Sequence, residues 1–206
     1  MITILDYDMA NLRSVQKAIE HVGGVARIVR EPEEVDRAEK LILPGVGAFG
    51  DCVRVLRERQ LDQAVLRFIR SGRPLLGICV GMQVLFARGH EDGLHAGLGV
   101  FDGDVVRFEV DRTHGLKIPH MGWNTLEPTG NRWAERLLRD VAPGSHVYFV
   151  HSYHCVAADP TLAATTTEHG IRFISSIARE NVMATQFHPE KSQAVGLKML
   201  ANFAAL

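Results

Sequence analysis

Short apolar runs alternate with amphipathic stretches through the first half of the chain. Ile2 to Leu5, Ala26 to Val29 and Lys40 to Leu43 read as strands. Leu12 to Val22 reads as a helix that stops at Gly23-Gly24. A short helical stretch is predicted after Glu31-Pro32, and helices across Ala48 to Ser71. Pro74 to Ile78 is a further buried strand, followed by a helix over Val80 to Ala87 and a glycine-rich loop over Gly89 to Gly103. The second half turns strand-rich, at Val105 to Phe108, His146 to Val150, His154 to Ala157, Leu162 to Thr166, Phe173 to Ala178 and Val182 to Phe187. A last helix runs from about Gln193 to Ala205, with Val195, Met199 and Phe203 as its core stripe. This order predicts an α/β fold: helices sandwich a mixed, mainly parallel sheet, and antiparallel strands are added in the C-terminal half. Ligands in such sheets sit beyond the carboxyl ends of the strands. Leu43, Ile78 and Phe187 each lead into a motif from that position.

The first motif is Gly77-Ile78-Cys79-Val80-Gly81. A nucleophile between two glycines at a strand-to-helix turn has the geometry of a nucleophile elbow, with Cys in place of Ser. The turn is tight, so a Cβ at either glycine would meet neighbouring backbone. The start of the following helix lies beside the sulfur and favours thiolate over thiol. Taken alone, a Cys ending an apolar strand fits a core position equally well.

The second motif decides between them. Val182 to Phe187 delivers His188 at a strand end, in Gln186-Phe187-His188-Pro189-Glu190. Pro189 pushes His188 toward an extended conformation, and residues two apart in an extended segment point the same way. Glu190 can then hold the imidazole in one tautomer and stabilise its charged form. His21, His90, His95, His114 and His169 sit in polar, turn-like surroundings and read as solvated.

Composition narrows the class. The chain has 206 residues and a formal net charge of −1, which suits one domain and points to neither nucleic acid nor an anionic membrane. No apolar run approaches the roughly 20 residues that span a bilayer, and the N-terminal residues lack the basic region of a signal peptide. Cys52, Cys79 and Cys155 make an odd count with no metal-ligand spacing, so a reducing, cytoplasmic location is expected. Cys52 reads as a helix residue and Cys155 as a strand residue, both packing.

Together these patches resemble the triad-type (class I) glutamine amidotransferases, and within them the glutaminase subunits of imidazole glycerol phosphate synthase. Besides the two motifs, the resemblance rests on Ile4 to Tyr7 with Asn11 to Val15, on Leu41 to Phe49, on Pro119 to Asn124 and on Tyr148 to Tyr153. It covers essentially the whole chain, read as a single amidotransferase domain over residues 1–206. One departure is visible: where that family reads Asp-Tyr-Gly-x-Gly-Asn, this chain has Asp8 and Ala10 in place of the glycines.

The resemblance implies hydrolysis of L-glutamine to glutamate and ammonia by a Cys79-His188-Glu190 triad, with no cofactor and no metal. It implies that Gly45, Gly47, Val80, Gln83, Ser152 and Tyr153 surround the substrate, with Val80 N–H and the Pro44–Gly47 loop as oxyanion donors. Ordinary strand packing suits Ser152 and Tyr153 as well. The expected partner is a (β/α)₈-barrel cyclase subunit, which receives ammonia through an internal channel and makes imidazole glycerol phosphate and AICAR in histidine biosynthesis. Asn11, Trp123 and Lys191 are the candidate interface residues; a core position for Trp123 and a solvated Lys191 are the alternatives. Rival readings are an amidotransferase serving another acceptor, a free-standing γ-glutamyl hydrolase, and a non-catalytic subunit on the same fold.

Overall fold

In the computed structural model, which describes residues 1–109 and 116–206, five parallel strands form the spine. They are β1 (Ile2–Leu5), β2 (Ala26–Val29), β3 (Lys40–Gly45), β4 (Leu75–Cys79) and β14 (Val182–Thr185). Antiparallel β13 (Arg172–Arg179), β12 (Ala163–Glu168) and β9 (Glu127–Pro128) extend the sheet, giving the order β2-β1-β3-β4-β14-β13-β12-β9. The inner parallel strands are buried on both faces, as their predominantly apolar character requires: every residue of β1, β4 and β14 is buried, while the edge strand β2 is only partly so. His114 lies outside the described residues.

Helices cover both faces. α1 (Leu12–His21) turns Val15, Ala18 and Ile19 inward, α3 (Phe49–Glu58) Phe49, Cys52, Val53 and Leu56, and α4 (Leu61–Arg70) Leu61, Ala64, Val65 and Phe68. Between β2 and β3, α2 (Pro32–Asp36) starts with Pro32 at its first turn and a capping box between Glu31 and Glu34. α7 (Gln193–Ala204) buries Met199 and Phe203, while Val195 is half-buried against the core. A short α6 (Glu135–Leu138) packs on α7.

Two smaller sheets lie beyond the strand ends. One pairs β8 (His120–Thr125) with β10 (His146–His151); the other runs β11 (Tyr153–Ala157), β7 (Phe101–Arg107), β5 (Phe86–Gly89), β6 (His95–Ala96). Here the structure corrects the sequence reading. The helix expected over Val80 to Ala87 is one turn, α5 (Val80–Gln83), and the expected loop over Gly89 to Gly103 holds β6 and the start of β7. The carbonyls of Val84, Leu85, Phe86 and Ala87 accept from Leu98, Val100, Gly99 and Gly97, not from a continuing helix. Gly97 permits that approach, since a Cβ there would lie 2.0 Å from Phe86 O.

Candidate active site

β4 ends at Cys79 in a conformation that L residues rarely adopt, φ 55° and ψ −114°. The flanking glycines hold it there. A Cβ on Gly81 would lie 1.9 Å from Leu43 O, and one on Gly77 2.8 Å from Gly81 O. The elbow is therefore wedged between β3 and β4, with the Cys79 side chain buried at its tip. Because α5 is one turn long, free N–H groups rather than a long aligned dipole act on the sulfur.

β3 pairs with β4 so that Gly45 stands opposite Cys79. Gly45 does not line the cavity: it is buried beneath the elbow, where a Cβ would meet Gly81 N at 2.7 Å and Tyr7 Oη at 2.8 Å. The segment after it is held from three sides. Tyr7 Oη donates to Pro44 O (2.7 Å), Cys52 Sγ donates to Val46 O (3.5 Å), and Val46 N–H donates to Met9 O (2.7 Å). The Val46 N–H is thus engaged away from the cavity. Met9 lies in the loop with the family departures. Asp8 there takes φ 65°, while Ala10 is not among the residues of positive φ. Asp8 pairs with Arg59 and, at 3.6 Å, with Arg30.

β14 lies beside β4 in parallel, Thr185 opposite Ile78, and the chain then carries His188 to the thiol. His188 Nδ1 meets Glu190 Oε1 at 2.8 Å, both side chains almost fully buried. Nδ1 therefore carries the proton toward the carboxylate, and Nε2, with no hydrogen-bond partner among the described residues, is left for the thiol. Burial opposes a charge on this ring, but the Cys79 sulfur and the Glu190 carboxylate outweigh it and raise His188 to about 9. The backbone is pinned as well. His188 N–H donates to Tyr148 O (3.0 Å), and the Ser192 hydroxyl donates to His188 O (2.6 Å) while accepting from Tyr148 N–H (3.0 Å). Gly196 lets α7 close over this turn: a Cβ there would lie 1.9 Å from Pro189 O.

These ends open into a cavity of about 300 Å³ lined by Cys79, His188, Val46, Gly47, Val80, Gln83, Ser152, Tyr153 and Lys191, together with Glu91, Pro119, Val150 and His151. Of the residues expected at the site, all but Gly45, Glu190, Asn11 and Trp123 reach its wall. Gln83 is buried, and its Nε2 is spent on Tyr153 O (3.2 Å) and Gln186 Oε1 (3.0 Å). Asn11 and Lys191 are exposed, and Trp123 is 46% exposed, edge-on to Tyr148, so it is no core residue. Sequence reasoning missed Glu91, which also accepts from Phe49 N–H at 2.7 Å. Its only signal was an acidic residue in a stretch read as loop.

Behind the cavity lies a group of imidazoles. His151 Nδ1 donates to Tyr153 O (2.8 Å), so its Nε2 accepts, and His120 Nδ1 donates to it (3.0 Å). His120 Nε2 then accepts from Asn124 Nδ2 (3.2 Å). Burial lowers His120 to about 4 and His151 to about 3, and lowers His154. His169 corrects its solvated reading: it is half-buried and stacks on His120 with ring centroids 4.1 Å apart. Burial likewise holds Tyr7 and Cys155 un-ionised and pushes Cys52 up to about 12. Among the described residues no group of three or more His, Cys, Asp or Glu is placed to hold a metal ion, and no helix is long and apolar enough to cross a membrane.

Residues 3–205 match the family described as Glutamine amidotransferase class-I. The chain is 50% identical over 204 residues to "Imidazole glycerol phosphate synthase subunit HisH" of Rhodopirellula baltica, covering 99% of this chain and 97% of that protein. It is 49% identical over 208 residues to the protein of the same name from Geobacter sulfurreducens, covering 100% and 98%. In fold it is similar to the solved structure titled "Structure of PurLQS from Thermotoga maritima", with a TM-score of 0.77 at 18% identity, covering 99% of this chain and 96% of that one.

Proposed function

Because this chain belongs to the class-I glutamine amidotransferases, we propose that it acts as the glutaminase subunit of imidazole glycerol phosphate synthase, serving histidine biosynthesis. The observation that carries the reading is the near-50% identity along the full length, in a chain whose Cys79, His188 and Glu190 converge at the ends of two adjacent strands.

The geometry supports a two-step hydrolysis. Cys79 thiolate attacks the glutamine carboxamide carbon, and the carbonyl π-pair moves onto oxygen. Val80 N–H faces that oxyanion. As the C–N bond breaks, His188 Nε2 passes its proton to the leaving ammonia, and a thioester remains. His188 then takes a proton from water, whose oxygen attacks the thioester; glutamate leaves and the thiol is restored. Glu190 holds the ring and stabilises its charge throughout. Glu91, the carboxylate on the cavity wall, suits the substrate's α-ammonium, and Gly47, Ser152 and Tyr153 frame its carboxylate end.

Val46 N–H is the natural second oxyanion donor, and it is bound to Met9 O. Rotation of the Gly45–Val46 peptide releases it, and removing one such donor typically costs ~100–1,000-fold in rate. The proposed trigger is a (β/α)₈-barrel cyclase subunit (HisF) seated over the cavity mouth. Exposed Val46, Met121 and Trp123, with Asn11 and Lys191, form the proposed contact, and ammonia passes across it. A cytoplasmic heterodimer fits this reading. Glutamate release, measured for the chain alone, with cyclase plus its nucleotide ligand, and with Cys79→Ala as the blank, tests it. Weak release alone and strong release in the complex are expected; release indifferent to the cyclase would overturn the partner assignment.

A further inference from the structure

Gln186, two residues ahead of His188, does more than accept from Gln83. Its side chain is fully buried, and its Nε2 donates to Cys79 Sγ across 3.7 Å. Its orientation is fixed from a backbone atom outward. Tyr153 O can only accept, so the Gln83 end that meets it is the NH₂ group. That same NH₂ group donates to Gln186 at 3.0 Å, so the Gln186 end that meets it is the carbonyl. The remaining end of Gln186, its NH₂, therefore faces the sulfur. A buried amide is costly unless its polar ends are used. Here one end is given to an acceptor that is weak as a thiol and far stronger as a thiolate.

We propose that Gln186 is a catalytic residue, a buried N–H donor that holds the Cys79 sulfur ionised and aimed for attack. This rests on Cys79 being the nucleophile. The other groups around the sulfur leave that task open. His188, backed by Glu190, supplies the charge, while Tyr7 just after β1, Cys52 from α3 and Cys155 from β11 stay un-ionised through burial. Tyr7 and Cys52 spend their protons on Pro44 O and Val46 O, so Gln186 adds a neutral side-chain donor to the backbone N–H groups of α5, and it works whether His188 is charged or has just delivered its proton.

The test is the pH dependence of Cys79 alkylation by iodoacetamide, located by mass spectrometry, with kcat and KM for glutamine measured separately in the cyclase complex. In Gln186→Met, which keeps the volume and removes the donor, the acid limb is expected to move up by about one pH unit. kcat should fall about tenfold with KM within about twofold. Gln186→Glu, which sets a carboxylate against the sulfur, should move the limb further. In the wild-type chain the Gln186 side-chain amide resonance should shift as Cys79 ionises, a readout that needs no variant to fold. A folded Gln186→Met protein with an unmoved acid limb, or a wild-type resonance indifferent to Cys79 ionisation, would overturn the proposal. Alkylation requires neither glutamine nor cyclase. If wild-type Cys79 reacts no faster than buried Cys52, the nucleophile assignment itself has failed; if Cys79 is reactive and the variant matches it, only the role of Gln186 is lost.

Discussion

Acidification should unfold this protein through two histidines that the folded state refuses to protonate. His151 Nε2 accepts from His120, and His120 Nε2 accepts from Asn124, so a proton on either ring breaks a buried hydrogen bond. Folded values of about 4 and about 3 lie below the ordinary ~6.5 that the unfolded chain recovers. The unfolded chain therefore binds protons that the folded chain does not, and stability falls as pH drops below ~6.5 until the folded values are passed. At pH 5 each ring costs about 2 kcal/mol. That figure depends little on the folded value, since each lies a unit or more below pH 5. Urea unfolding at pH 7 and pH 5 measures it against a His120→Phe/His151→Phe double variant, whose rings suit the surrounding Phe108, Phe149 and Phe173. Wild type should lose about 4 kcal/mol more than the variant between the two pH values, or about 2 M in midpoint at a typical slope. Equal losses in the two proteins would refute the neutral-pair reading.

Other consequences are testable in the same system. Glu190→Gln should cut kcat/KM by about 10²–10⁴-fold and lower the alkaline limit that His188 sets near 9, because a carboxylate that raises the ring is gone; a pH–rate profile reads both. Ser192→Ala leaves Tyr148 N–H without its acceptor at a fully buried position and takes one of two donors from His188 O, which keeps Lys191 N–H, so denaturant melts should show a loss of about 1–3 kcal/mol. Gly81→Ala must displace backbone on β3 and should abolish Cys79 alkylation, whereas Gly72→Ala, at φ +77° in open space, should cost only about 1 kcal/mol in urea melts. Asp8→Asn unties the Met9 loop from Arg59 and Arg30 and should raise cyclase-free glutamate release by at most about fivefold.

The parallel spine and the convergence of Cys79, His188 and Glu190 were legible because both depend on local sequence. Apolar runs mark strands buried on both faces, and Gly-x-Cys-x-Gly and His-Pro-Glu mark turns whose conformation their own residues dictate. The stretch from Val84 to Phe101 was not legible, because its partners are remote. Four carbonyls that would have prolonged a helix are taken by a chain returning ten to fifteen residues later, and Gly97 and Gly103, which mimic a loop, are there to let backbones touch. Gln186 escaped notice for a related reason. A glutamine next to a core Phe gives no local sign of the sulfur it meets across 107 residues of chain.

That separation also governs when the protein becomes competent. Helix α1 and strands β1 and β2 can form from neighbouring sequence, but β14 must find β4 across the longest loop closure in the parallel spine. Until it does, the thiol has neither its imidazole nor its amide, and the chain is structured without being reactive. Recovery of Cys79 alkylation during refolding should therefore lag the return of helical signal, which makes this thiol a clock for the last non-local step of folding.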